Sequence, residues 1–322
     1  MEKQMNAAVL HRFGGPEEFR MEQVPLPEIA ANEVLIKLQY SAVSSWDVFE
    51  REGGYAEMLG LEPSFPYILG SEGAGTVEAI GKDVDGFKKG DSVYTASFLN
   101  ANGGTYAEYA AVGAQYVSLI PKSLGMREAS AILGVGLTAL RGLEDVLNLQ
   151  KGGTILILGA SGGVGHMAVQ LAKMMGAEVI AVASGDDGID LVQQLGIEKV
   201  VNGRSANALE QIKALVPNGI DNALFTAGGK LAQDLLELVR NEGRVAYPNG
   251  VQLDVNTAAN LKVSAYNGEP EGEIIARLNH YIESKALTVH IAKEFQLEEI
   301  QAAHEALADH YSGKLIVGID HE

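Results

Sequence analysis

The chain contains no cysteine. That excludes disulfides and thiolate metal sites and suits a reducing compartment. Positive charge is also scarce, with 24 Lys and Arg against 42 Asp and Glu and a formal net charge of −18. A nucleic-acid backbone is gripped by clustered basic residues that release counterions, so no nucleic-acid partner is expected. No apolar run approaches the ~18 residues needed to span a bilayer. The opening MEKQMNAAVLHRF lacks the apolar stretch of a secretory signal. No membrane partner is expected, and the expected location is the cytoplasm. Glycine is plentiful, at 38 of 322 residues, and much of it falls between strand-like runs. With 47% hydrophobic and 20% charged residues the balance is globular. The length allows one large domain or two ordinary ones.

The most informative stretch is Gly152 to Ser184, GGTILILGASGGVGHMAVQLAKMMGAEVIAVAS. Thr154 to Leu158 is a continuous apolar run, as in a strand covered on both faces. The turn Gly159, Ala160, Ser161, Gly162, Gly163, Val164, Gly165 follows at once. Apolar residues then recur at helical spacing from Val164 to Met175, Gly176 ends the helix, and Val179 to Val182 supplies a second strand. A glycine turn between strand and helix exposes backbone N–H groups at the positive end of the helix dipole, where a pyrophosphate fits and a β-carbon would keep it away. The complete strand–turn–helix–strand unit points to dinucleotide binding.

Around this unit the chain changes character. Residues 1 to about 123 read as short strands with glycine and proline turns: Ala7–Leu10, Phe19–Val24, Val34–Val43, Gly73–Ile80, Gly90–Tyr94 and Thr105–Ala111. Such a pattern suggests a small barrel or sandwich. Met126 to Asn148 looks helical, interrupted by Gly134–Thr138. Asp47 and Arg51, four apart on a short helix, are placed to pair. Beyond the glycine unit come strands at Val200–Val201, Ile220–Phe225, Arg244–Tyr247 and Leu261–Tyr266, with helices at Ala206–Leu215 and Lys230–Val239. Alternation of this length implies a doubly wound parallel sheet. Two further helices, about 272–284 and 297–309, and a closing strand at Lys314–Ile319 complete the chain.

Several motifs resemble the medium-chain dehydrogenase/reductase superfamily, and within it the zinc-free quinone oxidoreductases related to zeta-crystallin. They are Ala42–Asp47, Phe65–Gly75, Gly86–Tyr94, Gly104–Tyr109, Leu137–Ala139, Gly159–Gly165, Glu242–Arg244 and Gly313–Val317, and together they span nearly the whole chain. The resemblance implies an α/β protein with a Rossmann doubly wound parallel-sheet domain and a GroES-like β-barrel catalytic domain. Residues 1–123 and 265–322 would form the catalytic domain and 124–264 the dinucleotide-binding domain. The family's active site is a cleft between the two. Where zinc-dependent relatives hold a Cys and a His as catalytic ligands, this chain has Ser44 or Ser45 and Ser71. Hydroxyls are poor zinc ligands beside thiolate and imidazole, so no metal is expected.

The resemblance also implies roles for individual residues. Thr138 lies where the family contacts the nicotinamide, although a Ser or Thr near a helix start is ordinary. Ser184 ends the second strand, where an NAD enzyme has an acid for the ribose 2′-hydroxyl; Asp186 and Asp187 follow just after it. The family's NADPH-binding Lys and Tyr fall on Gly188 and Gly203, while Arg204 remains as a donor for a 2′-phosphate. A solvated loop arginine is the plain alternative. Thr226 and Ala227, and Tyr247, Pro248 and Asn249, follow the fourth and fifth strands of the sheet and are expected to line the cofactor. Ser44 replaces an Asn near the nicotinamide of relatives. Tyr55 falls at a substrate-side tyrosine, from which it could donate to a developing oxyanion, though a surface-loop tyrosine fits as well. His166 and His304 lack metal-spaced partners and read as structural or solvated. Tyr281–Lys285 imitates the Tyr-x-x-x-Lys of short-chain dehydrogenases, but about 150 residues precede the glycine loop here, so the match is taken as chance.

The expected function is a zinc-independent, NADPH-dependent reductase, with NADH possible, moving hydride to a quinone or another small α,β-unsaturated carbonyl substrate. The expected assembly is a homodimer formed through the edge strand Leu261–Tyr266. A non-catalytic NADPH-binding sensor or structural protein, and an enoyl-thioester reductase, are the alternatives. With serines at the ligand positions, purified protein is expected to carry no stoichiometric zinc and to keep its activity in EDTA. Elemental analysis finding about one zinc per chain, with activity lost on chelation, would overturn that expectation.

Overall fold

The computed structural model describes residues 3–100, 103–256, 260–284 and 287–321. The chain divides into two compact units. One comprises Met1–Gly134, Pro270–Asn279 and Ile291–Glu322, and the other Val135–Glu269 with His280–His290. By compactness the chain passes between the units at 134–135, 269–270, 279–280 and 290–291. The segment His280–His290 belongs with the second unit although it lies late in sequence.

The second unit is built on a six-stranded sheet in which every neighbouring pair is parallel. Across the sheet the order is Lys199–Asn202, Glu178–Ala183, Thr154–Leu158, Ile220–Phe225, Val239–Pro248 and Lys262–Tyr266. The order reverses at Thr154–Leu158, from which the chain winds first one way and then the other. Leu156, Ile180, Val182, Ala223, Phe225 and Val245 are buried in the core on this sheet. The central strands Thr154–Leu158 and Glu178–Ala183 are buried along nearly their whole length, which explains their continuous apolar runs. The helix Gly163–Met174 follows the glycine turn and is buried from Gly165 to Ala172. Gly176, at φ 81°, takes the left-handed conformation that ends it.

The first unit is mainly antiparallel. A seven-stranded sheet centres on Glu33–Val43, which pairs with Glu72–Ile80, Tyr109–Gly113 and Lys314–Gly318. A smaller sheet pairs Gln4–Leu10 with Arg20–Pro25 and Tyr67–Ile68. Leu10, Ile36, Leu38, Leu69, Tyr106 and Val317 lie in its core.

Local readings differ from the structure where tertiary context intervenes. Gly134–Thr138 does not interrupt a helix; Leu133–Arg141 runs through it and continues as a π-helical turn over Gly142–Val146. Residues 131–140 are all buried, and packing outweighs the helix cost of two glycines. Thr138 is therefore mid-helix. The strand expected at Thr105–Ala111 lies at Tyr109–Gly113. The helix expected to reach Val239 ends at Leu236. Gly185–Gln194 is a further helix, and Val117–Leu119 and Ile291–Gln296 are further strands. Lys285 of the Tyr-x-x-x-Lys match lies outside the described residues. No helix among the described residues is long and apolar enough to cross a membrane.

Candidate coenzyme and active site

The glycine turn is shaped by two backbone constraints. Gly159 sits at φ 80°, which L side chains rarely adopt. A β-carbon on Gly165 would overlap the Gly159 carbonyl, so the helix starts hard against the strand end. The turn is held by Gly159 N and Ala160 N donating to the Val182 carbonyl at 3.0 and 2.9 Å, and by Gly162 N donating to the Gly159 carbonyl at 3.0 Å. With the helix beginning at Gly163, the N–H groups of Gly163, Val164 and Gly165 have no intrahelical acceptor. A β-carbon at Gly162 would meet only the Gly159 carbonyl oxygen, at 3.4 Å, and otherwise open space. Those unsatisfied donors and that vacant approach fit a dinucleotide pyrophosphate.

The remaining coenzyme candidates stand at the carboxyl ends of the same parallel strands. Thr226 Oγ1 donates to the Leu158 carbonyl at 2.8 Å and so ties the fourth strand's end to the base of the glycine turn; Ala227 follows it, exposed. Ser184 caps the helix Gly185–Gln194, and its N–H approaches Ser161 Oγ at 3.4 Å. Gly203 N donates to the Ala183 carbonyl at 2.7 Å, which brings the exposed Arg204 beside Ser184 at the end of the second strand. Asp186 and Asp187 are exposed in the first turn of the helix that follows. Tyr247 and Pro248 end the fifth strand, and Asn249 N donates to the Tyr266 carbonyl at 2.8 Å. Tyr266 Oη donates to the Thr138 carbonyl at 3.0 Å, so Thr138 and Asn249 meet through the last strand.

The first unit carries a buried polar cluster that sequence reading largely missed. Glu72 and Lys314 form an ion pair at 3.0 Å, with side chains only 1% and 4% exposed. The Glu72 Oε1 atom accepts the Gly134 N–H at 2.6 Å; its Oε2 accepts the Ser44 hydroxyl at 3.2 Å. Lys314 Nζ also donates to Ser44 Oγ and lies 5.0 Å from the Trp46 ring centroid. Ser44 is thus turned inward, its hydroxyl committed to an acid and a base. Ser71 is buried too: it accepts the Trp46 indole N–H at 2.7 Å and donates to Asp47 Oδ1 at 3.3 Å. With both hydroxyls engaged in this way, the residues at the expected ligand positions do not fit a zinc ion. Among the described residues no group of three or more His, Cys, Asp or Glu is placed to hold a metal.

Asp47 does not pair with Arg51. It accepts from Ser44 N at 2.8 Å and from Tyr106 Oη at 2.8 Å. Arg51 donates to the Gly14 carbonyl, to Glu52 and to His304 Nδ1 at 2.9 Å. Because a guanidinium only donates, His304 must carry its proton on Nε2, which faces Tyr106 Oη at 3.3 Å. His304 is buried rather than solvated, and its ring joins Arg51 to Tyr106. A directed chain results, from imidazole to phenol to carboxyl. Burial, and then the neighbouring Glu50, push the Asp47 carboxyl up to about 7. Burial, and then Arg51, push His304 down to about 3. Burial also raises Glu50, which accepts from Tyr67 Oη at 2.5 Å. Tyr55 lies in the short helix Gly54–Leu59, half-buried and edge-to-face with Phe49 at 4.7 Å. Burial, Glu50 and Asp47 all raise its phenol, which keeps it a proton donor at neutral pH.

The comparisons fit this architecture. Residues 30–122 match the alcohol dehydrogenase GroES-like domain family, and residues 163–263 the zinc-binding dehydrogenase family. Human quinone oxidoreductase is 32% identical over 327 residues, covering 97% of this chain and 96% of that protein. The solved quinone oxidoreductase of Coxiella burnetii superposes with a TM-score of 0.87 at 26% identity, covering 99% of this chain and 100% of that one. The CurK enoyl reductase structure gives 0.86 at 25% identity, covering 99% and 100%. The chain belongs to the medium-chain dehydrogenase/reductase superfamily, among its quinone oxidoreductase-like members. It is an oxidoreductase that uses a nicotinamide coenzyme.

The two shifted groups act oppositely on stability. Asp47, raised, holds a proton in the folded state that the unfolded chain has lost between about pH 4 and 7, so stability falls as pH rises through that window. His304, lowered, is neutral in the folded state while the unfolded chain is protonated between about pH 3 and 6.5, so its contribution is lost as pH falls. One bound proton of difference is worth about 1.4 kcal/mol per pH unit. Relative to wild type, Asp47→Asn should gain stability at up to that slope as pH rises through its window, and His304→Gln should lose it. Urea unfolding at several pH values tests both; three parallel profiles would refute the assignments.

Proposed function

We propose that this protein is a zinc-independent, NADPH-dependent reductase that delivers hydride to a quinone or an α,β-unsaturated carbonyl. The observation that carries the reading is the glycine cradle, with its vacant approach, followed by Ser184 where an acid would select NAD. Bound NADPH supplies the hydride. Gly163, Val164 and Gly165 N–H groups hold the pyrophosphate; Ser184 and Arg204 take the 2′-phosphate; Thr138 and Tyr247–Asn249 position the nicotinamide end. Tyr55, kept protonated by burial and the adjacent acids, donates a hydrogen bond to the acceptor oxygen as charge develops on it. Ser44 links Lys314 and Glu72 through its hydroxyl. Reducing a conjugated carbonyl requires little more than positioning and such a donor. An enoyl-thioester substrate is the second reading, favoured by the likeness to the CurK enoyl reductase. The lack of cysteine supports a cytoplasmic setting.

Oxidation of NADPH and of NADH, screened over quinones, enones, enals and enoyl thioesters, tests the reading. Turnover of a quinone or enone with NADPH preferred is expected. Tight NADPH binding without turnover of any acceptor would make the protein a non-catalytic binder. In Arg204→Ala, loss of one charge-assisted contact of ~1.5–3 kcal/mol should weaken NADPH by roughly 10- to 100-fold and leave NADH nearly unchanged. Equal loss for both coenzymes, or for neither, removes Arg204 from the site.

The strand Lys262–Tyr266 supports a homodimer. It closes one edge of the parallel sheet, paired among the described residues with Arg244–Pro248 alone, and Lys262, Ser264 and Ala265 are exposed. An edge of unpaired N–H and C=O groups is completed by a second copy of itself. Light scattering should give twice the chain mass at micromolar concentration; a monomer there would exclude this assembly.

A further inference from the structure

His166 is fully buried, one turn into the helix that follows the glycine loop. The Gly162 carbonyl accepts two hydrogen bonds from it, one from the backbone N–H at 2.9 Å and one from Nδ1 at 2.9 Å. A carbonyl oxygen can only accept, so Nδ1 carries the proton and Nε2 is the bare acceptor. His290 N–H approaches that second nitrogen at 3.5 Å. The ring therefore serves two places at once, the loop through Nδ1 and the segment Thr288–His290 through Nε2.

The second of these tasks has other support. Gln170, one turn further along, donates to the Thr288 carbonyl at 3.0 Å and accepts the Thr288 N–H at 2.8 Å. The bond to Gly162 has a different consequence. The Gly162 C=O and the Gly163 N–H belong to one planar trans peptide and point in opposite directions. Fixing the carbonyl toward the first helical turn aims the Gly163 N–H out of the helix N-terminus. A second bond to the same oxygen also polarises the amide and strengthens its N–H as a donor.

From this geometry we propose that His166 is a positioning residue for the coenzyme pyrophosphate, its Nδ1–H holding and polarising the Gly162–Gly163 peptide. The proposal rests on the dinucleotide reading given above. It makes no demand on the acceptor substrate. It separates two kinds of replacement. Asparagine places an amide N–H near the position of Nδ1 and gives up Nε2, whereas glutamine reaches toward Nε2 and gives up the bond to Gly162. Leucine keeps the bulk and loses both.

The test is the dissociation constant of each variant for NADPH, for ADP-ribose and for adenosine 2′-phosphate, with the melting temperature of the coenzyme-free protein alongside. His166→Gln and His166→Leu should weaken NADPH and ADP-ribose by about 3- to 10-fold, the effect of one net hydrogen bond. Adenosine 2′-phosphate, which lacks the pyrophosphate, should bind as to wild type. His166→Asn should restore NADPH affinity to within about twofold of wild type, whatever its melting temperature. The proposal is overturned if asparagine is no better than leucine, if all variants bind like wild type, or if the fragment without pyrophosphate weakens in step. Wild-type protein that binds no dinucleotide at all would sink the reading of the site and this proposal together; wild-type binding with indifferent variants sinks the proposal alone.

Discussion

A carboxylate buried to 1% exposure cannot be left without partners, and Glu72 draws its partners from three separate stretches of the first unit. Its two oxygens accept hydrogen bonds from Gly134 N, Ser44 Oγ and Lys314 Nζ, which lie at the start of a helix, ahead of another helix and on the closing strand. Breaking such a pair by removing one partner leaves an uncompensated buried charge, a cost on the order of 3–5 kcal/mol. The same constraint explains a local sequence feature. A β-carbon on Gly134 would press into the Glu72 carboxylate, so the glycine serves the acid's access to a backbone donor. Its presence inside a helix is the consequence.

Beside this charged pair lies a second cluster in which burial works the other way, neutralising its members. Asp47 and His304 are linked through Tyr106, and in each the uncharged form is favoured by burial. Arg51 is the charged member, held by the Gly14 carbonyl and the ring of His304 with Glu52 as its counter-ion. Where zinc-dependent relatives need several electron-pair donors converging on one point, this chain has an alternating sequence of donors and acceptors. The serine at the expected ligand position, Ser71, accepts the Trp46 indole hydrogen and donates its own to the Asp47 carboxyl group. The tyrosine expected on the substrate side, Tyr55, is raised by burial and then by Glu50 and Asp47.

What the sequence discloses follows the range of the forces involved. Thr154–Leu158, the glycine turn and the helix after it were legible because each is set by residues within a few positions, and the structure differs there by a residue or so. The helix Gly185–Gln194 was missed because its composition, GDDGIDLVQQ, buries only Gly188, Leu191 and Val192. Ile291–Gln296 was missed because IAKEFQ alternates poorly, and its pairing with Lys314–Gly318 decides it. The polar cluster was the least legible part. Arg51 meets His304 across 253 positions and Ser44 meets Lys314 across 270, distances over which no periodicity speaks. Asp47 and Arg51, by contrast, had the right spacing for a helical pair, and burial assigned each a better partner.

The path of the chain has a consequence of its own. It passes from one compact unit to the other at 134–135, 269–270, 279–280 and 290–291. Neither unit is therefore a single excisable cassette. A fragment cut at 135 and 269 would contain all six parallel strands and the whole glycine cradle, yet would lack the segment that Gln170 and His166 bond. Exchange of nucleotide-binding units between relatives, by recombination or at the bench, must carry eleven residues from far downstream, His280–His290, as a separate graft.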